Sequence, residues 1–424
     1  MMFNLKNKTV VIIGAQKSGF AAAKLVYQRG GKVKISEYNS KEKISEEFLA
    51  WIQENAIACQ WAGHTQDFIE DSDLIVLSPG VAYESLPVQW AMAKKIPVLG
   101  EIELAVQFCE KPIIAVTGSN GKTTVSTLIH EVIQKSGKRS VLCGNVGNPF
   151  SGCVSQCNDA DYVVVEISSF QLESLIALNK SFRKFKPYIA VFLNFSQNHL
   201  DRHKDLQEYF DAKKKIFLNQ DKKDFAVLNF KDSSAEQLMD AVKAQVCYFN
   251  QQSNGINPNQ SAALKVAQLL GIQENICHEV FKSFKGVEHR LEWVRDINGV
   301  DYINDSKATT AEAGRWAIES IKQPIVLICG GRDKNIDFSV LCEVVKKNVK
   351  KMFVFGEAKI KLQETFKGFV EVELCENLND AVSKSSIFAK EGDCILLSPM
   401  CASFDMFTNF EERGSIYKKI VGQL

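Results

Sequence analysis

The apolar run Ile113-Ile114-Ala115-Val116 leads into Thr117-Gly118-Ser119-Asn120-Gly121-Lys122-Thr123-Thr124, and a helix-like stretch begins near Val125. Strand, tight glycine turn and helix in that order commit this part of the chain to an α/β sheet. The same loop constrains a ligand. Its glycines let backbone N–H groups close around phosphate oxygens, Lys122 adds a cation, and a hydroxyl at Thr123 or Thr124 stands where Mg2+ binds at a helix N-terminus. Only two residues separate Gly118 from Gly121, fewer than in the general phosphate-loop pattern. ATP or GTP is the ligand this loop predicts.

A chain of 424 residues exceeds one ordinary core and predicts two to four domains. Its 51 basic and 50 acidic side chains leave a formal charge of +1, so no global field favours nucleic acid or an anionic membrane. The longest apolar runs, such as Ile325 to Cys329, fall far short of the roughly 20 residues that cross a bilayer. Met1 to Gly14 reads as a strand entering a fold rather than a leader, which predicts a cytoplasmic protein. Twelve cysteines are scattered from Cys59 to Cys401 without a C-x-x-C pair, the pattern of buried reduced thiols rather than a disulfide frame or zinc site.

Short apolar strands alternate with helix-like stretches throughout, predicting mostly parallel sheets. Strands are expected near residues 9–13, 32–36 and 74–77, with the first unit closing near Leu99-Gly100. A second set is expected near 113–116, 162–165, 189–193 and 225–228, with a last helix at about Ser261 to Leu270 and a hinge around Lys285-Gly286. A third set is expected near 300–303, 325–329, 352–355 and 394–397. The organisation reads as three α/β domains. A Rossmann-like domain spans 1–101, a P-loop ATPase-like domain with a mostly parallel sheet 102–286, and a second Rossmann-like domain 287–424. Gly14-Ala15-Gln16-Lys17-Ser18-Gly19, with Glu37 after the second strand, is half of a dinucleotide fingerprint. Gln16 stands where a glycine would let a pyrophosphate approach, which disfavours NAD and leaves room for another nucleotide. Ser78-Pro79-Gly80 is a turn at the carboxyl edge of the same sheet, where ligands of open α/β sheets sit. The lysines of Lys346-Lys347-Asn348-Val349-Lys350-Lys351 read as a solvated helix end.

Glu166 closes the apolar run Tyr162 to Val165, the place where a phosphate-loop fold keeps the acid that holds its metal. Asn194 to His203 follows the run Ile189 to Leu193 and opens at the same edge; His199, beside Asp201 and Arg202, either ligates a metal or orients a substrate. Lys213-Lys214-Lys215 reads by itself as a charged helical face. Together Gly118 to Thr124, Glu166-Ile167-Ser168-Ser169-Phe170-Gln171-Leu172 and His199-Leu200-Asp201-Arg202-His203 resemble the Mur ligase family, ATP-dependent amide-forming enzymes of peptidoglycan assembly. Asn304-Asp305-Ser306-Lys307-Ala308-Thr309, Gly330-Gly331-Arg332-Asp333-Lys334 and Leu397 to Phe407 resemble the branch that adds D-glutamate to UDP-N-acetylmuramoyl-L-alanine, with Arg332-Asp333 standing where that branch often has Asp-Gly.

The resemblance implies an acyl phosphate made from ATP and displaced by an amine through a tetrahedral intermediate. It implies that Gly118, Ser119, Asn120, Gly121, Lys122, Thr123 and Thr124 bind the phosphates of ATP. Thr123 and Glu166 would hold one Mg2+, and His199 and Lys213 a second. At the last of these a carbamate would replace an ammonium that cannot bind a cation. Asn259, Arg290 and Asp305 are implied for the adenosine, placing the nucleotide between the second and third domains. Lys17, Ser18, Glu37, Ser78, Pro79 and Gly80 are implied for the UDP group, and Asn145 and His199 for the muramoyl-alanine end. Lys307, Thr309, Lys334, Ser403 and Phe404, with Phe410 as a lesser member, are implied for D-glutamate. The implied enzyme is a monomer with small-molecule substrates, without nucleic acid or membrane, and closes by a hinge. A related ligase with another amino acid, a folate polyglutamate synthetase, an NAD-dependent oxidoreductase and a non-catalytic nucleotide sensor are the competing readings.

Overall fold

The computed structural model describes residues 3–175, 182–196, 202–251, 255–284, 286–333 and 336–424. One compact unit ends at Phe284 and a second takes up the remainder. The first unit contains two sheets. Strands β1 (Thr9–Ile13), β2 (Lys32–Ser36), β3 (Ala58–Gln60), β4 (Leu74–Leu77) and β5 (Val98–Gly100) pair in the order β3-β2-β1-β4-β5, all parallel. Strands β6 (Ile113–Thr117), β7 (Ser140–Gly144), β8 (Tyr162–Glu166), β9 (Ile189–Phe192), β10 (Phe225–Asn229) and β11 (Gln245–Phe249) pair as β11-β10-β9-β6-β8-β7, again all parallel.

Helices supply the crossovers, and those that position the site are α1 (Lys17–Gln28), α2 (Lys122–Lys135), α3 (Ser169–Glu173), α4 (Leu206–Lys214) and α5 (Pro258–Leu269). The two-residue period of β6 divides its buried side chains between two cores. Ile114 and Val116 pack with Val125, Leu128 and Ile129 of α2 and Ala262 and Val266 of α5. Ile113 and Ala115 face the other way, into a core that continues through Leu104 and Phe150 to Val10 and Ile12 of β1. Each such Val, Ile or Leu contributes roughly 1.5–3 kcal/mol on burial. The two sheets of this unit thus share one apolar interior.

The second unit is built on β12 (Glu292–Ile297), β13 (Val300–Asn304), β14 (Ile325–Gly330), β15 (Val349–Phe355), β16 (Glu371–Leu374) and β17 (Cys394–Leu397), in the order β12-β13-β17-β14-β15-β16. Its last helix is α6 (Phe410–Val421). Among the described residues β12 is the one strand that runs antiparallel to its neighbour. The reason is local: Asn298 and Gly299 adopt φ of 53° and 76°, the left-handed pair that a two-residue hairpin demands.

The lysine run departs from expectation. Lys346 and Lys347 do end a helix, but Lys350 and Lys351 belong to β15, where Lys350 pairs with Asp393 at 2.7 Å and Lys351 with Glu371 and Glu373 at 2.6 and 3.0 Å. Carboxylates on neighbouring segments, invisible in a local reading, pair with these charges, although Lys350 stays exposed and Lys351 is half-buried. All twelve cysteines are free thiols and ten are buried. Among the described residues no helix is long and apolar enough to cross a membrane, and no group of three or more His, Cys, Asp or Glu side chains is arranged to hold a metal ion.

Candidate active site

The carboxyl ends of β8, β6 and β9 lie side by side, and the glycine loop leaves the middle one. The loop is clasped before any ligand enters. Asn194, just beyond β9, accepts from Asn120 N through Oδ1 at 2.9 Å, donates through Nδ2 to Asn120 O at 3.1 Å, and accepts from Ser119 N on its own carbonyl at 3.0 Å. The Ser119 hydroxyl exchanges hydrogen bonds with the Ser196 backbone and lies 3.3 Å from the hydroxyl of Tyr209 on α4. Gly121 has φ of 83°, the left-handed conformation that favours glycine, and a Cβ there would stand 2.6 Å from Asn259 Oδ1 and push that side chain aside. That close approach also brings Asn259, from α5, to the loop.

Two lysines converge on the same turn. Lys122 Nζ donates to the carbonyls of Gly118 and Ser119 at 2.9 and 3.0 Å, and Lys213 Nζ donates to Gly118 O at 2.9 Å. Lys213 arrives there because Asp205 caps α4 and the helix buries Tyr209, Phe210, Ala212 and Lys213 on one face. Burial, reinforced by the charge of Lys122 and opposed by Glu166, holds its ammonium well below the usual lysine range. Glu166 is itself buried at the end of β8. Its Oε1 accepts from Asn145 Nδ2 at 2.7 Å, and among the described residues no donor reaches Oε2. That buried carboxylate oxygen without a donor is a hard anionic group of the kind a divalent cation takes, while Lys213 beside it repels a cation for as long as it is an ammonium. Thr123 is buried at the first turn of α2 and Thr124 is half-buried.

Asn145 faces two ways. The cavity it also lines has a volume of about 640 Å3 and extends to Gly14, Lys17, Ser18, Glu37, Ser78, Pro79 and Gly80 of the first sheet. Every described residue read from the sequence as UDP-binding therefore lines one cavity. Lys17 Nζ reaches across to Gly147 O at 2.7 Å. Glu37 is turned inward: its carboxylate accepts from Ala15 N, Asn39 N and Asn39 Nδ2, so it shapes the wall. Tyr38 and His64, which the sequence reading did not single out, line the cavity with ring centroids 6.3 Å apart. His199 and Lys334 lie outside the described residues.

In the second unit the assembling residue is Arg413 on α6. Fully buried, it donates to Ser306 Oγ at 3.0 Å, Ser306 O at 2.8 Å and Cys401 O at 3.1 Å, tying the turn before Lys307 to the loop before Ser403. Ser306 Oγ donates to Phe410 O at 2.8 Å, and Lys307 Nζ stands 5.5 Å over the Phe410 ring. Ser403 is buried, Thr309 half-buried and Phe404 exposed. Arg290 stacks 5.1 Å over Trp316. Asp305 is sealed from solvent, accepting from Ser398 Oγ at 3.0 Å and Leu291 N at 3.2 Å.

Burial pushes the Asp305 carboxyl up to about 6, against the pull of Arg290, Ser398 and Leu291. The folded unit keeps this proton at pH values where the unfolded chain has lost it, so Asp305 costs stability as pH rises from about 4 to about 6, with no further loss above. Asp305→Asn removes the titration. Denaturant unfolding of both proteins should show the variant gaining up to about 3 kcal/mol on the wild type across that window; a pH-independent difference would contradict it.

Comparison with known proteins bears on this geometry. The profile of the Mur ligase MurD-like N-terminal domain matches residues 8–100, that of the Mur ligase middle domain 116–289, and that of the Mur ligase glutamate ligase domain 289–401. The chain belongs to the Mur ligase family. This Mur ligase is 38% identical to a UDP-N-acetylmuramoylalanine–D-glutamate ligase of Thermoanaerobacter sp. (strain X514), covering 99% of each chain. A protein of that name from Koribacter versatilis (strain Ellin345) is 36% identical over 99% of this chain and 98% of its own. Among solved structures, the UDP-N-acetylmuramate-alanine ligase MurC of Thermotoga maritima superposes with a TM-score of 0.61 at 17% identity, covering 98% of the Mur ligase described here and all of its own chain, a likeness of fold.

Proposed function

We propose that this Mur ligase joins D-glutamate to UDP-N-acetylmuramoyl-L-alanine, converting ATP to ADP and phosphate, as a monomeric cytoplasmic enzyme of peptidoglycan precursor synthesis. The observation that carries the reaction type is the double position of Asn145, which binds Glu166 beside the glycine loop and also lines the 640 Å3 cavity. The names of the full-length relatives supply the substrates. In this reading residues 1–101 hold the UDP group, 102–286 the phosphates of ATP, and 287–424 the amino acid.

The substrate carboxylate attacks the γ-phosphorus of ATP. An O–P bond forms, and the bond to the bridging oxygen breaks with its electron pair leaving on ADP. The D-glutamate amine then attacks the carbonyl carbon of the acyl phosphate, the tetrahedral intermediate expels phosphate, and the nitrogen loses a proton. Gly118 to Thr124 bind the transferring phosphates through backbone N–H groups, and Lys122 exchanges its loop carbonyls for phosphate oxygens. Asn145 and His199 orient the muramoyl-alanine end, and Asn259, Arg290 and Asp305 the adenosine. Lys307, Thr309, Lys334, Ser403 and Phe404, with Phe410 as a lesser member, receive D-glutamate, the two lysines pairing with its carboxylates. Lys213, its ammonium destabilised by burial, adds CO2 as the free amine to give a carbamate and a proton. Two Mg2+ ions held by Thr123, Glu166, His199 and that carbamate would offset the negative charge gathered on the phosphates.

Phosphate release provides the test. It should require ATP, UDP-N-acetylmuramoyl-L-alanine and D-glutamate together. Release with L-glutamate and a folate, or without any amine, would overturn the assignment.

A further inference from the structure

The turn Ser78-Pro79-Gly80 forms part of the large cavity's wall, yet within itself it is closed by one hydrogen bond, Val81 N to Ser78 O at 2.9 Å. Its tip is held from outside. Arg202 donates through Nη1 to Gly80 O at 2.9 Å, and through Nη2 and Nε to the two carboxylate oxygens of Glu173 at 2.7 and 3.4 Å. The side chains of this pair are only 20% and 18% exposed, and the guanidinium lies 5.2 Å over the ring of Phe170. Glu173 ends α3 and is fixed further by its carbonyl, which accepts from Lys215 Nζ at 2.7 Å; its carboxylate also lies 3.4 Å from His203 Nδ1, without a hydrogen bond. Helix α3 starts three residues after Glu166 and sends Gln171 into the same cavity. One guanidinium therefore links the turn on the first sheet to the helix that follows the acid of the second.

We propose that Arg202 is a positioning residue for the nucleotide-sugar site, a latch that fixes the Ser78–Gly80 turn against α3 so that the cavity is formed before its ligand arrives. The inference rests on the reading of that cavity as the site of a uridine nucleotide. A planar fork is needed because one arm takes a carbonyl while two others grip a carboxylate, which the single ammonium of lysine cannot reproduce. Ser78 stays anchored through its N–H to Ile13 O and its Oγ to Gly14 O, both at 2.9 Å; without the latch the tip at Gly80 must be ordered on binding, and that cost falls on the uridine ligand alone, since the glycine loop is clasped independently by Asn194.

Titration calorimetry with UDP, and separately with ATP, on the wild type, Arg202→Ala, Arg202→Lys and Glu173→Gln tests it. Arg202→Ala should weaken UDP about tenfold while ATP changes by less than about twofold, and Arg202→Lys should recover only part of the loss. The double variant Arg202→Ala with Glu173→Gln should bind UDP no more weakly than Arg202→Ala, since both changes break one latch. In turnover the KM for the nucleotide sugar should rise while kcat holds. Should Arg202→Ala fail to fold, Arg202→Lys carries the test, with about threefold weaker UDP binding expected. Equal losses for UDP and ATP, unchanged UDP binding, or additive effects in the double variant would overturn the latch alone. A wild type that binds ATP but no UDP would overturn the reading of the cavity and the latch with it.

Discussion

Glu166→Gln should lower kcat by about a thousandfold with little change in the affinity for the nucleotide sugar. The substitution keeps the shape of the side chain and leaves Oε1 able to accept from Asn145, so the wall of the cavity survives. What it removes is the charged oxygen that no donor reaches among the described residues. An amide nitrogen there offers hydrogens to the place where a cation is expected, reversing the local dipole at the moment negative charge spreads over the terminal phosphates. The Mg2+ concentration for half-maximal rate should rise together with the loss of kcat. Steady-state kinetics at several Mg2+ concentrations would expose the opposite case: a variant within a few-fold of wild type at every concentration removes Glu166 from the list of metal ligands.

Lys213→Ala carries the second large effect, a loss of about a hundredfold or more in kcat. As an ordinary buried cation Lys213 would be a structural oddity, pointing at the Gly118 carbonyl beside a second ammonium and repelled by it. As a carbamate it becomes an anionic ligand in a place where burial already disfavours the protonated amine. Exhaustive removal of CO2 should therefore slow the wild type, and bicarbonate should restore it. The alanine variant should be indifferent to both. Activity that survives Lys213→Ala unchanged, with or without bicarbonate, would refute the modification.

The sequence reading located strands well where both faces are buried. Ile113 to Val116, Leu74 to Leu77 and Cys394 to Leu397 are unbroken apolar runs because their strands lie inside parallel sheets. The strands it passed over are the outermost ones: β3, β5, β7, β11, β12 and β16. Strand β12, Glu292–Ile297, has no buried residue, and β16 is half-exposed, so neither carries the run that marks an interior strand. At the site, glycines, Lys122 and Glu166 were legible because their chemistry depends on position next to a strand end. Asn194 was missed as a clasp because its role needs a partner 74 residues away. Arg413 was hidden for a similar reason: within α6 it looks like one more charge, and only the converging turns at Ser306 and Cys401 reveal a buried guanidinium. Tyr38 and His64 become neighbours only once β2 and the segment after β3 are laid side by side.

The apolar interior that runs without a break from β1 to β6 sets a limit on modular engineering of this enzyme. A graft that exchanges the opening hundred residues for those of a relative with a different nucleotide preference would leave Leu104, Phe150 and Ala115 facing a foreign surface. Successful chimaeras should be cut near Phe284 instead, where the chain passes from one compact unit to the next. With the cavity read as the proposed uridine-nucleotide site, altered nucleotide choice is better sought by replacing individual side chains around it than by transplanting its sheet.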